Sequence, residues 1–141
     1  VVALYSKNSA KNIYTFDGGE IVDFYIKIRI NDEISNPIIG FILTDEYGNK
    51  VMGANSYLLK SKIRNCKKGE IVIAKFEFYF PYLKNGRYFF SPAIAEGTQI
   101  NHIQHHWVHD GYIVNIASKQ EDAQMGWYLV SKDANLQVDF Q

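Results

Sequence analysis

Residues 36–56, NPIIGFILTDEYGNKVMGANS, decide the fold, because they read as two short strands joined by a turn. β-branched and aromatic residues from Ile38 to Thr44 favour the first strand, and Lys50 to Ala54 returns as the second. Asp45 to Asn49 supplies the turn, in which Gly48 can take a positive φ at little cost. The segment therefore predicts a β-hairpin.

Alternation of apolar and polar residues extends the strand pattern on both sides of this hairpin. Val22 to Ile30 and Val72 to Phe80 place apolar side chains at every second position, the period of a strand with one buried face. Gly86 to Ala95 is apolar on both faces, so this strand is either central or covered on its outer side. Further strands are predicted at Val1 to Tyr5, Ile13 to Phe16, Tyr112 to Ile116, Met125 to Val130 and Leu136 to Phe140.

Seven to nine strands separated by turn signals, with no long amphipathic helix, predict an all-β protein. We expect an antiparallel β-sandwich, immunoglobulin-like or jelly-roll. The 141 residues fit a single domain spanning 1–141. The first residues, VVALYSKNS, have neither an initiator Met nor a signal-peptide pattern, which predicts a C-terminal fragment of a longer protein.

Charge and cysteine content exclude several classes of partner. Fifteen basic and fifteen acidic residues give no net charge and are scattered, so we expect no nucleic-acid interface and no polybasic membrane patch. Cys66 is the only cysteine, which excludes an internal disulfide and a thiolate zinc cluster and favours a reducing compartment. No apolar run approaches the ~20 residues of a membrane-spanning helix, so we expect a soluble domain.

A histidine-rich segment, HIQHHWVHD at residues 102–110, has three interpretations. On a helix the histidines would share a face, as a metal site requires, whereas on a strand they alternate. Because Tyr112 and the apolar residues after it belong to the core, parity places His105, Trp107 and His109 outside unless a bulge intervenes. A metal site, a polar loop and a platform for a sugar ring against Trp107 all stay open.

Catalytic motifs are absent from the sequence: it has no phosphate-binding loop, no dinucleotide fingerprint and no nucleophile elbow. Four carboxylates could in principle supply a glycosidase pair, but no desolvating pocket can be argued for any of them. We therefore expect no enzymatic activity and no cofactor. The four are Asp23, Glu33, Glu77 and Asp110.

A family resemblance is carried by Asn36-Pro37, Gly40-Phe41, Asp45, Gly48, Val51, Gly53 and Asn55-Ser56. PYLKNGRY at residues 81–88 and HDGYIV at 109–114 support it as a turn between long strands and the start of the last core strand. Together these stretches resemble the carbohydrate-binding C-terminal domain of the ATP-binding subunit of O-antigen polysaccharide ABC exporters, the Wzt C-terminal domain family. The likeness spans residues 15–117.

The resemblance implies a non-catalytic module that recognises the non-reducing end of a finished polysaccharide, often a chemically capped end, and couples chain completion to export. It implies an ATPase domain elsewhere in the parent chain, a transporter membrane subunit reached through that chain, and a cytoplasmic position at the inner membrane. It also implies a homodimer that can exchange C-terminal strands. Apolar residues suited to such a strand are Trp127, Tyr128, Leu136, Val138 and Phe140.

Only the scaffold carries over from the resemblance, so the site is predicted from strand pairing. In an immunoglobulin-like arrangement Ile38 to Thr44, Gly86 to Ala95 and His105 to Ile116 share one sheet, whose exposed face is the expected glycan site. Two alternatives are a structural or dimerisation module and a metal-dependent enzyme of cupin-like fold. Asn55 also suits the cap of a turn. The predicted carbohydrate-binding residues are Ile42, Asn55, Phe89, Ser91, Ala93, His105, Trp107 and His109.

Overall fold

The structure of the protein is a computed structural model that describes residues 1–6, 15–117 and 135–141. The described residues form two sheets, one of four strands in the order β1-β3-β6-β10 and one of six in the order β2-β9-β7-β4-β5, with β8 also paired to β7. The strands are β1 (Val2–Ser6), β2 (Thr15–Phe16), β3 (Ile21–Arg29), β4 (Pro37–Asp45), β5 (Lys50–Asn55), β6 (Ile71–Tyr79), β7 (Gly86–Gly97), β8 (His102–Trp107), β9 (Tyr112–Ile116) and β10 (Asn135–Phe140).

The predicted β-sandwich is confirmed, since two sheets enclose a hydrophobic core. The ten strands of the described residues exceed the seven to nine predicted, because the segment from His102 to Ile116 is divided into β8 and β9. Of the strand predicted from Ile13 to Phe16, the structure describes Thr15–Phe16. That strand runs parallel to β9, so the pairing is not antiparallel throughout. The predicted strand from Met125 to Val130 lies outside the described residues. Within them, no helix is long and apolar enough to cross a membrane.

The hairpin predicted from the central stretch is formed by β4 and β5. Gly48 takes a φ of 81° in its turn, as expected. The Asp45 carboxylate holds the turn by accepting hydrogen bonds from the N–H groups of Tyr47 at 2.9 Å and Asn49 at 2.8 Å. On its other side β4 pairs with β7, so the hairpin continues into the middle of the six-stranded sheet.

Phenylalanine side chains from both sheets meet in the centre of the sandwich. The ring of Phe41 lies 5.1 Å from Phe24, 5.2 Å from Phe76 and 5.4 Å from Phe78, measured between ring centroids. Phe90 stacks on Phe24 at 4.5 Å. Each aromatic contact of this kind adds ~0.5–1.5 kcal/mol beyond the area buried. The inward-pointing rings of β4 and β7 therefore join the six-stranded sheet to the four-stranded sheet.

The segment after β5 crosses from the six-stranded to the four-stranded sheet. At its end Cys66 is fully buried and exchanges two backbone hydrogen bonds with Ile34. Burial raises the pKa of the Cys66 thiol, and the Glu70 carboxylate raises it further. The thiol therefore stays protonated at neutral pH, as a structural cysteine does.

The strand β10 lies at one edge of the four-stranded sheet, paired with β6. Leu136, Val138 and Phe140 pack against the core, as their alternation predicted. The Arg64 guanidinium lies 3.7 Å from the centroid of the Phe140 ring, a cation–π contact on the outer end of the strand. β10 therefore completes the four-stranded sheet of its own chain.

Replacing Phe41 by Ala should lower the free energy of unfolding by ~3–5 kcal/mol, because it opens a cavity where the two sheets meet. Urea denaturation measures the change. Tyr47→Ala is the matched control, since that ring is 80 % exposed on the hairpin turn, and we expect it to cost less than ~0.5 kcal/mol. A loss for Phe41→Ala no larger than that of the control would contradict the central position of the ring.

A thiol reagent at pH 8 should leave Cys66 unmodified in the folded protein and modify it completely in urea. The physical reasons are its burial and its raised pKa, which together withhold the thiolate from solvent. Absorbance of the released chromophore measures the reaction. Rapid modification without denaturant would show that the crossing segment opens readily.

Candidate functional site

The outer face of the six-stranded sheet carries most of the predicted site residues. Core residues such as Phe41 and Phe90 point inward, so the alternating positions on β4 and β7 point away from the core. Strand pairing sets the outward positions in adjacent rows. The rows are Trp107, Ala93, Gly40 and Asn55; Ser91, Ile42 and Gly53; and Ile113, Phe89 and Thr44.

The first of these rows runs from Trp107 to Asn55 and has two small residues in its middle, Ala93, which is partly exposed, and Gly40, which is buried. Gly40 is required sterically: a Cβ there would come within 2.5 Å of the Asn55 Cβ and 2.6 Å of the Ala54 carbonyl oxygen. Three inter-strand spacings of ~4.8 Å make the row ~14 Å long. We call this row, with the outward side chain of Ile42 beside it, the trough.

Trp107 forms the wall at one end of the trough. Its indole stacks on the imidazole of His109, with ring centroids 5.4 Å apart and an interplanar angle of 22°. Trp107 is half-buried, and its Nε1 is buried without a hydrogen-bond acceptor among the described residues. The part of the ring that solvent reaches is therefore its carbon surface rather than its N–H.

The turn between β8 and β9 holds His109 against that ring. Asp110 takes a positive φ of 52°, and its N–H donates to the Ser91 hydroxyl at 3.0 Å. The Val108 N–H donates to the Pro92 carbonyl at 3.0 Å. Ser91 lies in an outward position of β7, as predicted from strand pairing, but it is only 4 % exposed. Its hydroxyl stabilises the turn instead.

A β-bulge redirects His105. The register of β7 with β8 shifts between Ile94 and Ala95, and His105 has no partner on β7. Its Nε2 lies 2.9 Å from the Glu96 Oε2, and Glu96 has the parity of the core residue Ile94. The alternation that would place His105 beside Trp107 was expected only in the absence of a bulge, and here the strand contains one extra residue.

The redirected His105 borders a cleft of about 690 Å³ between the two sheets. The walls are formed by residues 26–32 of β3 and the turn after it, together with Ile94, His106 and Val108. Three isoleucines of the β3 segment contribute aliphatic surface, which offers few hydrogen-bond partners to the hydroxyls of a sugar. The cleft is therefore a weaker candidate for a glycan than the trough.

Asn55 ends the trough with a side chain that is already engaged. Its Oδ1 accepts a hydrogen bond from the Leu58 N–H at 2.8 Å, and its Nδ2 donates to the Gln99 Oε1 at 2.9 Å. Asn55 thus caps the turn after β5, the structural role that suits this residue type. It also ties that turn to the one between β7 and β8.

The alternative site chemistries find little support in the geometry. Among the residues that the structure describes, no group of three or more His, Cys, Asp or Glu side chains could hold a metal ion. Asp23 and Glu77 are cross-strand partners on the four-stranded sheet, with the Lys75 Nζ 3.9 Å from the Asp23 Oδ1. Asp110 belongs to the turn beside the other sheet, so it does not join them.

The sequence did not reveal a second concavity, a groove of about 520 Å³ next to Asn55. Residues 36–38, 56–57, 60–63 and 97–98 line it, and these segments lie far apart in the chain. Both lysines of the YLLKSK segment, Lys60 and Lys62, belong to the lining, so we call it the lysine groove. In the sequence, only the spacing of these two lysines could have indicated the groove, and that spacing does not show which segments lie opposite them.

A family model described as the Wzt C-terminal domain matches residues 2–128. Among solved structures, the chain is similar to one described as a crystal structure of the C-terminal domain of Wzt, with a TM-score of 0.72 and 20 % sequence identity. The match covers 84 % of this chain and 72 % of that one. At this identity the likeness concerns the fold. No curated protein matches the chain.

Replacing Ser91 by Ala should loosen the turn that holds His109, because the Asp110 N–H loses its acceptor. We expect the free energy of unfolding to fall by ~1 kcal/mol and the NMR signals of the Trp107 indole to shift as the stack with His109 is weakened. Ser61→Ala, on the segment after β5, is the matched control. An unchanged indole signal in Ser91→Ala would mean that the stack forms without this hydrogen bond.

Proposed function

The chain belongs to the Wzt C-terminal domain family, and from this premise we propose that it is a non-catalytic carbohydrate-binding module. It recognises the non-reducing end of an O-antigen-type polysaccharide and couples completion of the polymer to export by an ABC transporter. The observation that carries the proposal is the trough, which combines an aromatic wall with the small, partly exposed side chain of Ala93. Such a surface is better suited to binding a sugar ring than to catalysing a reaction.

The proposal extends to the parent protein. The 141-residue domain is the C-terminal part of a longer chain whose ATPase domain lies outside it. That chain acts in the cytoplasm, peripheral to the inner membrane, and contacts the membrane subunit of the transporter. Two copies form a homodimer, in which β10 can be exchanged because its apolar residues Leu136, Val138 and Phe140 fit the same core from either chain.

The trough can bind a sugar through two kinds of contact. The carbon surface of Trp107 packs against the C–H face of a pyranose ring, and the small side chain of Ala93 leaves room for the ring beside it. The imidazole of His109 is exposed next to this wall and can donate to or accept from a hydroxyl. Phe89 and Ile42 add apolar surface along one side.

The other predicted residues contribute differently in this proposal. Ser91 and Asn55 act through the turns that they hold, because their polar groups are already hydrogen-bonded. His105 lies outside the trough. Affinity for one glycan end is expected to be weak, because the contact buries little apolar area and sugar hydroxyls must be desolvated.

Replacing Trp107 by Ala should weaken glycan binding at least about tenfold, because the aromatic anchor of the trough is lost. Trp107→Phe keeps a ring and should retain part of the affinity. Calorimetric titration with the polysaccharide of the source organism, complete and lacking its terminal cap, measures both. Tyr79→Ala is the matched control, since that ring is 59 % exposed on the other sheet, and it should bind as the unchanged protein does.

The same titration separates the main alternative, a purely structural or dimerisation module. That alternative predicts no saturable binding of either polysaccharide. Binding that Trp107→Ala leaves intact would instead move the site away from the trough. Light scattering on the eluting protein measures the homodimer independently, because a change in mass does not depend on the ligand.

A further inference from the structure

The lysine groove has a composition that differs from the rest of the molecule. The chain as a whole is neutral, yet the lining of this groove contains two lysines and no carboxylate. The nearest acidic side chain along β7, Glu96, is engaged by His105 at 2.9 Å. Lys60 and Lys62 are exposed, so their ammonium groups are available to a ligand. The groove is therefore a local site of positive charge.

Neutral hydrogen-bonding groups accompany the lysines. Ser61 contributes a partly exposed hydroxyl to the lining, and Tyr57 adds an aromatic ring that is half-exposed. The hydroxyls of Ser56 and Thr98 also belong to the lining, but they are already hydrogen-bonded to Ile39 and Asn101. A volume of about 520 Å³ lies in the range of ~300–1,000 Å³ that small-molecule sites occupy. Hydroxyl donors, an aromatic ring and a cation together suit a saccharide that carries an acidic group.

The backbone around the groove is unusual in the same place. Asn36 and Lys60 take positive φ values of 47° and 54°, and both line it. A left-handed conformation is uncommon for a lysine and costs of order 1 kcal/mol, and such residues cluster at ligand sites. The turn closes with the Lys60 N–H donating to the Tyr57 carbonyl at 3.1 Å, which orients Lys60 into the loop that forms the groove.

The groove is continuous with the trough. Asn55 ends the trough, and Ser56 and Tyr57, which follow it directly, line the groove. The hydrogen bond between Asn55 and Gln99 joins the two turns that flank this boundary. Because the lysines lie beyond Asn55, more than ~14 Å from Trp107, a glycan chain with one residue against Trp107 needs several further residues to reach them.

We propose that the lysine groove binds an acidic group of the glycan, either a uronate carboxylate or a phosphate, while the trough binds a neutral ring of the same chain. This inference rests on the proposed function and adds the chemical class of the ligand. Lysine binds such groups as a point charge, so the contact does not require a particular geometry of the anion.

Titrating the 15N-labelled 141-residue protein with sodium glucuronate, glucose 6-phosphate, glucose and inorganic phosphate tests the proposal. We expect the two sugar acids to shift the amide signals of Lys60, Lys62 and Thr98 in a saturable way, and glucose to leave these signals unchanged. Raising the salt concentration should weaken the binding, because exposed charges are screened. Comparing glucuronate with glucose 6-phosphate tells which acid the groove prefers.

Replacing both lysines by Gln should weaken binding of the preferred sugar acid about fivefold or more, since each exposed charge contributes modestly. Lys84→Gln is the matched control, because Lys84 is an exposed lysine at the opposite end of β7. Thermal unfolding of each variant shows whether the fold is kept. A single substitution, Lys62→Gln, avoids the left-handed position and should lose part of the affinity.

Equal shifts with glucose and with the sugar acids, or no shift at the groove, would overturn the inference. Inorganic phosphate binding as tightly as glucose 6-phosphate would overturn its saccharide part. A different result would contradict the proposed function: neither glucose nor the organism's polysaccharide shifts the NMR signal of the Trp107 indole. Signals at the trough and at the groove therefore report on the two proposals independently.

Discussion

The pairing of β4 with β7 is the constraint on which the rest of the structure depends. Their register is unbroken from Pro37 opposite Glu96 to Asp45 opposite Tyr88. It sends Phe41 inward to the aromatic centre of the sandwich and places the outward positions in rows. A slip of one residue would reverse every side chain, so the core and the trough are specified by the same ladder of hydrogen bonds.

Two glycines within the strands of the six-stranded sheet are required for a steric reason, and neither of them forms a turn. Gly40 and Gly53 lie on neighbouring strands, and a Cβ on either would meet the backbone or side chain across the ladder within 3 Å. The close approach of Asn55 buries Gly40, so Ala93 is the small residue of the trough that solvent reaches. Trp107 rises at one end, where the turn held by Ser91 supports its stacking partner His109. Packing inside the sheet and shape outside it are thus coupled.

In our proposals, two neighbouring surfaces bind different parts of the glycan. The trough offers carbon surface and few charges, which favours the C–H face of a ring, whereas the lysine groove offers positive charge and hydroxyls. Exposed ion pairs contribute little affinity in water, so the groove would add selectivity for acidic polymers more than strength. A weak contact at each surface becomes useful when one glycan chain reaches both, because the second contact is then intramolecular.

The sequence by itself determined the all-β class, the hairpin with its left-handed Gly48 and the inward residues of β3, β6 and β9, because a period of two records which side chains are buried. It did not determine the fate of His105, since a bulge inserts one residue and breaks parity without a pattern of its own. Nor did it reveal the lysine groove, whose three segments meet only when β4 pairs with β5 and β7. Periodicity is local, whereas a bulge and a groove are set by which strand lies opposite, and only the tertiary structure decides that.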